Sequence, residues 1–117
     1  MAYRLQFLPA AKAEWDKLDG SIRQQFAKVL LRRLDQPRVP AAALTAMPDC
    51  YKIKLRSTGF RLVYRVQDDS LILLTIAVGK RDKSAVYDTA RLRLALGTGQ
   101  VKSKAPARAL PKARSRK

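Results

Sequence analysis

Apolar and polar residues in the middle of the chain alternate in the pattern of a β-hairpin. In the first half of this pattern, three apolar residues alternate with three cations: Tyr51, Ile53 and Leu55 against Lys52, Lys54 and Arg56. Successive side chains of a strand point to opposite faces, so one face of this strand is apolar and the other is cationic. After a connection that ends in Gly59, which can take a positive φ, the second strand continues the pattern with Leu62, Tyr64 and Val66 against Arg61, Val63 and Arg65. Like charges on neighbouring strands repel each other, so a face with basic charges alone predicts an anionic partner.

Two further strands follow from the same kind of pattern. Residues 3–7 alternate as a short first strand, and residues 71–78 are almost continuously apolar. A continuous run of branched residues is typical of a central strand that is buried on both faces. Asp68-Asp69, between the hairpin and this run, predicts a turn.

Helical spacing of apolar residues predicts three helices. Pro9 suits the first turn of a helix that Asp19-Gly20 ends, and Ser21 with Gln24 forms a capping box for the next helix. That helix continues through Leu34, and a last helix is predicted over residues 83–96. These elements predict one α+β domain over residues 1–96.

Charge is the most unusual feature of the composition. The formal net charge is +16 over 117 residues. Seven of the 25 cations and none of the nine carboxylates lie in residues 97–117, so residues 1–96 carry +9 by themselves. The last 21 residues combine small residues, prolines and cations without an apolar period, which predicts a basic disordered tail. A charge this large predicts attraction to nucleic acid or to an anionic membrane.

The residue types that are missing exclude several chemistries. Histidine is absent, which removes Ser-His and Cys-His nucleophilic systems, histidine acid–base pairs and most zinc sites. The carboxylates are scattered, which disfavours two-metal phosphodiester hydrolysis. We therefore expect chemistry without a metal ion or cofactor. The single cysteine, Cys50, is expected in the core, and the lack of a signal peptide or long apolar run predicts a cytoplasmic protein.

The basic face is the candidate active site. Its members come from the hairpin, the exit of the last strand and the last helix: Lys52, Lys54, Arg61, Arg81 and Tyr87. In RNA the neighbouring 2′-hydroxyl can attack the phosphate, so the protein must remove that proton, stabilise the phosphorane and protonate the leaving 5′-oxygen. A lysine among cations can act as a base, an arginine fork fits phosphate oxygens, and a tyrosine ring can stack on a base. A non-catalytic RNA-binding sheet would show the same pattern.

Other cations are candidates for contacts with RNA or the ribosome. They are Arg23, Lys28, Arg32, Arg33, Arg56, Arg65, Lys80 and Lys83. The four on the second helix fit equally well with a solvated helix face or with phosphate contacts.

At these residues the sequence resembles a known family. The matching segments are Met-Ala-Tyr-x-Leu at the start, Glu14-Trp15-x-Lys17-Leu18, the run Met-Pro-Asp-Cys-Tyr-Lys-Ile-Lys-Leu-Arg-Ser over residues 47–57, Gly59-x-Arg61-Leu62-Val63-Tyr64, and Val78-Gly79-Lys80-Arg81. They closely resemble the RelE family of bacterial and archaeal toxins, within the RelE/ParE superfamily, over about residues 1–95. The resemblance implies a RelE-like (microbial RNase-like) fold: a small antiparallel sheet with two N-terminal helices packed on one side and a C-terminal helix. Thr45 and Ala46 depart from the Arg-Gly of close relatives.

The resemblance also implies a function and residue roles. It implies a metal-independent endoribonuclease that cleaves mRNA in the ribosomal A site and leaves a 2′,3′-cyclic phosphate. Lys54 matches the general base, Lys52 a charge-stabilising partner and Arg61 the phosphate-stabilising arginine. Arg81 matches the group assigned to leaving-group protonation, and Tyr87 the residue that stacks on the mRNA base. The implied partners are a RelB-like antitoxin, the ribosome with its rRNA and mRNA, and operator DNA only through the antitoxin complex.

Two alternatives remain. ParE-type relatives poison DNA gyrase and do not need the catalytic cations, so retention of the five-residue set favours mRNA cleavage. The second alternative is a non-catalytic basic module that only docks on RNA or DNA.

Overall fold

The computed structural model describes residues 2–80 and 85–101, the last five of them as backbone only. The strands are β1 (Arg4–Phe7), β2 (Cys50–Leu55), β3 (Phe60–Gln67) and β4 (Ile72–Lys80). The helices are α1 (Pro9–Asp16), α2 (Gly20–Asp35) and α3 (Ala85–Val101), with a short 3₁₀ turn at Pro40–Ala42.

The four strands form one sheet in the order β1-β4-β3-β2, which confirms the α+β class and the central position of β4. The hairpin of β2 and β3 and the pair of β3 and β4 are antiparallel, as predicted. The β1–β4 pair is parallel, so the sheet is mixed and the expectation of a wholly antiparallel sheet was wrong in this strand. The physical reason is connectivity, because two helices and a hairpin separate β1 from β4 and no tight turn forces the two strands to run in opposite directions.

One face of the sheet is covered by the N-terminal helices. α2 buries Ile22, Phe26, Leu30 and Leu34, which pack on the apolar side chains of β2 and β3. α1 lies beside β4. The centroid of its Trp15 ring lies 5.3 Å from the centroid of the Phe7 ring and 6.2 Å from that of the Phe26 ring. The alternation that predicted an apolar face on the hairpin is therefore confirmed as the face under α2.

α3 covers the opposite face of the sheet. Val86 and Ala90 pack against a second buried cluster that includes Cys50 and Val63. At Gly79 a Cβ would lie 3.1 Å from Cγ2 of Val86. The absence of a side chain at this position thus allows the start of α3 to approach β4 closely.

Helix ends differ from the sequence-based prediction in two places. α1 ends at Asp16, and Asp19 is the N-cap of α2, so neither the Asp19-Gly20 stop nor the capping box at Ser21 is observed. The reason is a side chain from the next helix: the Arg23 guanidinium donates to the carbonyl oxygens of Leu18 and Asp16 and so satisfies the end of α1.

α3 continues to Val101, five residues past the predicted end at Leu96. The rest of the predicted tail lies outside the described residues. Within the part of the chain that the structure describes, no helix is long and apolar enough to span a membrane.

Candidate active site

The cations of the hairpin lie on the face of the sheet that α3 covers in part. In the β2–β3 register Lys54 is opposite Arg61, and Lys52 is opposite Val63. Directly opposite residues of antiparallel strands have Cβ atoms about 4.5–5.5 Å apart, and diagonal neighbours such as Lys52 and Arg61 lie about 7–8 Å apart. Lys54 is exposed, whereas Lys52 and Arg61 are half-buried. Three cations therefore occupy neighbouring positions on one face of the hairpin.

Tyr87 on α3 completes this group. The Arg61 guanidinium carbon lies 5.6 Å from the centroid of the Tyr87 ring, which is a cation–π contact. The hydroxyl of Tyr87 is buried and has no hydrogen-bond partner among the described residues. Tyr87 thus presents its ring, rather than its hydroxyl, at the cationic face.

Four of the five predicted active-site residues are brought together: Lys52, Lys54, Arg61 and Tyr87. The fifth, Arg81, and the predicted RNA-binding residue Lys83 lie outside the described residues. β4 ends at Lys80, which is exposed and opposite Phe60 in the β3–β4 register. Gly79 is opposite Arg61, so the end of β4 lies beside the cationic group.

Two more predicted RNA-binding cations lie near this group. Arg56 is exposed in the connection after β2. Arg65 is opposite Cys50 in the β2–β3 register and lines an open groove of about 270 Å³ together with Met47, Arg91 and Leu94. Arg65 thus extends the positive charge along the α3 side of the molecule.

The predicted RNA-binding cations of α2 lie on the other side of the sheet. Arg33 is half-buried, and its Nη1 donates to the Tyr64 hydroxyl at 2.8 Å and to the Lys52 carbonyl oxygen at 3.3 Å. Arg23 is held by the end of α1, as described above. Lys28 and Arg32 are exposed. On α2, therefore, the two exposed cations are the better placed for contact with an external phosphate.

Tyr64 lies at the centre of the α2-side core and is fully buried. Its hydroxyl donates to the Pro37 carbonyl oxygen at 2.6 Å, and its ring stacks on Tyr51 with centroids 5.7 Å apart. Burial raises the pKa of Tyr64, and the hydrogen bond from Arg33 acts in the opposite direction. Arg33 and Tyr64 are a structural pair that anchors α2 to the sheet.

An arginine that sequence reasoning did not single out connects three segments. The Arg38 guanidinium bridges Asp68 at 2.7 Å and Asp49 at 3.0 Å, and the Tyr3 hydroxyl donates to Asp68 at 2.5 Å. The hydrogen bond from Tyr3 and then that from Arg38 hold the pKa of Asp68 below its usual value. This network joins the chain before β1, the start of β2 and the turn after β3.

Cys50 is a core residue, as predicted, with 1% of its surface exposed. Burial raises the pKa of its thiol to about 11. A thiol that stays protonated at neutral pH is a poor nucleophile and a poor metal ligand.

Among the described residues no group of three or more cysteines and carboxylates could hold a metal ion. The arrangement offers cations and a ring, which suit the binding of a phosphate and a base.

Sequence reasoning also missed Glu14 and Arg93, which link α1 and α3 at the edge of β4. Both Nη atoms of Arg93 donate to the Glu14 carboxylate, at 2.9 and 2.8 Å. The available signal was the position of Arg93 at the border of the apolar stripe of α3, where a partly buried charged residue requires a partner.

Comparison with known proteins identifies the class of protein. The profile of a family described as the ParE toxin of type II toxin–antitoxin system, parDE, matches residues 5–85. The mRNA interferase toxin RelE of Escherichia coli K12 is 50% identical over 94 residues, which are 80% of this chain and 99% of that protein. The chain therefore belongs to the RelE/ParE family of toxins from type II toxin–antitoxin systems.

Solved structures agree with this assignment. A mutant of E. coli RelE in the free state superposes with a TM-score of 0.74 at 49% identity, over 80% of this chain and 99% of that chain. The RelE chain of the intact E. coli RelBE toxin–antitoxin complex superposes with a TM-score of 0.68 at 49% identity, over 70% of this chain and all of that chain. The RelE-like fold implied by the sequence is thereby confirmed.

Proposed function

We propose that this protein is a toxin that inhibits translation by cutting mRNA in the ribosomal A site. The observation that carries the proposal is the placement of Lys52, Lys54, Arg61 and Tyr87 on one face, with Lys54 opposite Arg61 and Arg61 against Tyr87. Relatives that share half of the sequence over 94 residues are named mRNA interferases. The cations and the name of the relatives support the same chemistry.

The proposed reaction is an attack by the neighbouring 2′-oxygen on the phosphorus. Lys54, in its neutral form, accepts the 2′-hydroxyl proton as the new P–O2′ bond forms. Arg61 and Lys52 stabilise the additional negative charge of the phosphorane. The P–O5′ bond then breaks, the 5′-oxygen takes a proton, and the products are a 2′,3′-cyclic phosphate and a 5′-hydroxyl. The resemblance assigns the second proton to Arg81. No step of this scheme uses a metal ion or cofactor.

Tyr87 is proposed as the platform for the mRNA base next to the cleaved bond. Stacking of a base on an aromatic ring contributes about 1–3 kcal/mol. Arg61 lies over this ring and a guanidinium directs its N–H groups within its own plane. The pair therefore places a base-binding surface and a phosphate-binding fork side by side.

The ribosome supplies what this site lacks. The described residues contain no histidine and no clustered carboxylates, so the site has no strong conventional acid–base pair. Holding the mRNA in a reactive geometry can contribute several kcal/mol, about 7–11 in well-oriented systems. We propose rRNA contacts for the exposed cations Lys28, Arg32, Arg56 and Lys80, with Arg65 at the groove, and a cytoplasmic location where ribosomes are found.

The proposed protein partner is a RelB-like antitoxin. Solved relatives include an E. coli RelBE complex and E. coli RelE bound to a RelB peptide. A chain with a net charge of +16 favours a partner segment that is acidic or amphipathic. Operator DNA is proposed as a partner only through the antitoxin complex.

Cleavage of mRNA on programmed ribosomes, compared with the same mRNA free in solution, tests this function. We expect rapid cleavage at the A-site codon on ribosomes and slow cleavage of free mRNA at physiological salt. Because the matching family profile carries the ParE description, DNA gyrase supercoiling is measured in parallel. Inhibition of gyrase with no cleavage of ribosome-bound mRNA would instead establish the ParE-type alternative, and binding of ribosomes without cleavage would establish the non-catalytic one.

A further inference from the structure

β4 carries a β-bulge in its pairing with β3, just past the end of its pairing with β1. β1 pairs with β4 from Ile72 to Thr75, and among the described residues no strand lies beside the sheet edge beyond this point. In the β3–β4 register Thr75 is opposite Tyr64 and Ala77 is opposite Val63, so Ile76 is the extra residue of the bulge. A bulge leaves backbone groups of the extra residue unpaired in the sheet.

The Glu14–Arg93 pair satisfies the carbonyl oxygen of the bulge residue Ile76 and an N–H group further along the same edge of β4. Nη1 of Arg93 donates to the Ile76 carbonyl oxygen at 2.9 Å, and Oε1 of Glu14 accepts from the Val78 N–H at 3.0 Å. The Arg93 and Glu14 side chains are 22% and 32% exposed, and they also hydrogen-bond to each other. Loss of the Arg93 guanidinium would leave the Glu14 carboxylate half-buried without its partner and the Ile76 carbonyl oxygen without its donor, which is costly. The pair therefore locks α3 to α1 and to the edge of β4.

The position of Arg93 on α3 determines which other contact of this helix depends on the Glu14–Arg93 pair. A helix turns about 100° per residue, so Arg93 and Tyr87 lie about 120° apart around the axis. Val86 and Ala90, the buried residues of α3, fall between them. Arg93 on one border of the buried stripe holds Glu14, and Tyr87 on the other border meets Arg61. Rotation or tilting of α3 that breaks the first contact therefore displaces the Tyr87 ring relative to Arg61.

We propose that Glu14 and Arg93 are positioning residues that hold the Tyr87 ring against Arg61. This inference rests on the proposed function insofar as Tyr87 and Arg61 act on mRNA. According to this inference, the ion pair at the sheet edge affects activity only by holding α3 in position.

The first experiment measures the position of Tyr87 in the free protein, without ribosomes. Nuclear Overhauser contacts between the Tyr87 ring protons and the Arg61 side chain are recorded for the full-length wild type, Arg93→Gln, Glu14→Gln and Arg93→Lys. Arg91→Gln is the matched control, because Arg91 is on the same helix, is 57% exposed and pairs only with the nearby Asp88 among the contacts described. We expect the contacts to weaken or vanish in Arg93→Gln and Glu14→Gln, to persist in Arg91→Gln and to be partly restored in Arg93→Lys.

The second experiment measures single-turnover cleavage of mRNA on ribosomes for the same variants. Misplacement of a reacting group by about 1 Å can lower a rate by about a hundredfold. We expect the maximal rate of Arg93→Gln to fall by ten- to about a hundredfold, with little change in the ribosome concentration at half-maximal rate. In a Tyr87→Ala background Arg93→Gln should cause no further loss of rate, whereas its effect on the melting temperature should be the same in both backgrounds.

The outcomes separate this inference from the proposed function. If the wild type does not cleave ribosome-bound mRNA, the proposed function fails, and the nuclear Overhauser contacts alone decide whether the pair positions Tyr87. Unchanged Tyr87–Arg61 contacts in folded Arg93→Gln and Glu14→Gln would overturn the inference. So would equal losses of rate from Arg93→Gln in the wild-type and Tyr87→Ala backgrounds, because the pair would then act independently of the ring. Glu14→Gln retains an acceptor for the Val78 N–H, so it provides the decision if Arg93→Gln does not fold.

Discussion

Lys54 lies directly opposite Arg61 across the β2–β3 pair, and Arg61 also covers the Tyr87 ring at 5.6 Å. One antiparallel register thus places the proposed base beside the proposed phosphate-binding group. If these side chains act on charge that develops during cleavage, their removal affects the transition state more than the ground state.

We therefore expect Lys54→Ala and Arg61→Ala to lower the single-turnover rate on saturating ribosomes, for Lys54 by about 10²–10⁴-fold. Ribosome affinity should change far less. Arg56→Ala is a matched control, since it removes an exposed cation that directly follows the same strand. It should weaken ribosome binding more than the rate. Parallel losses of rate and affinity for Lys54→Ala would favour a binding module.

Tyr87 provides a separate prediction because its hydroxyl has no hydrogen-bond partner among the described residues. Tyr87→Phe retains the ring and removes a buried unpaired hydroxyl, whose burial costs about 1–3 kcal/mol. We expect this variant to cleave like the wild type and to be at least as stable to urea. Tyr87→Ala should cleave about 5- to 150-fold more slowly, since it removes a stacking surface that contributes about 1–3 kcal/mol. A Tyr87→Phe variant as inactive as Tyr87→Ala would show that the hydroxyl takes part in the reaction.

The basic C-terminal segment is expected to assist binding without affecting the chemical step. Deletion of residues 102–117 removes seven cations and ends the chain after α3. Ribosome affinity should fall, and the slope of its logarithm against the logarithm of salt concentration should flatten by up to about 5 if every cation contacts a phosphate. The rate on saturating ribosomes should stay unchanged.

The matched control for this deletion is a full-length chain in which the seven cations are replaced by glutamine. It should reproduce the effect of the deletion, because the effect is electrostatic. An inactive deletion variant would instead assign the segment a role in catalysis.

The stability of the folded protein depends on pH through Asp68. Its hydrogen bonds from Tyr3 and Arg38 lower its pKa in the folded state relative to the unfolded chain, where it is about 3.9. The stabilisation is therefore fully present above this unfolded-state value and is lost as the pH falls through the lower folded-state value. Thermal unfolding from about pH 6 to about pH 2.5 should show a steeper acid loss for the wild type than for Asp68→Asn. Asp69→Asn, at the exposed neighbouring carboxylate, should follow the wild type.

Cys50 should be chemically inert in the native protein. Its thiol is buried, and its pKa of about 11 keeps it protonated at about pH 8. We expect a disulfide reagent such as Ellman's reagent to react slowly at this pH and to react rapidly once guanidinium unfolds the chain, since an unfolded thiol has a pKa of about 8.5. Equal rates in the two conditions would show that Cys50 is accessible in the folded state.

The local features of this protein follow directly from residue order. Alternation in the hairpin separated Lys52 and Lys54 from Ile53 and Leu55, and the structure places the two sets on opposite faces of the sheet. The same holds for the apolar face of α2 and for the position of Gly59, whose φ is 79°. These features depend on neighbours a few residues apart, so the strand and helix periods are sufficient to predict them.

Contacts between distant segments depend on the tertiary structure alone. The contact of Arg61 with Tyr87, the inward-facing Arg33 and the bulge at Ile76 require the register of β4 and the placement of α3. Glu14 and Arg93 are 79 residues apart, and no local period relates them. Their pairing arises because the packed fold must satisfy backbone groups at the edge of β4 beyond β1, and such a demand exists only after the strands have assembled.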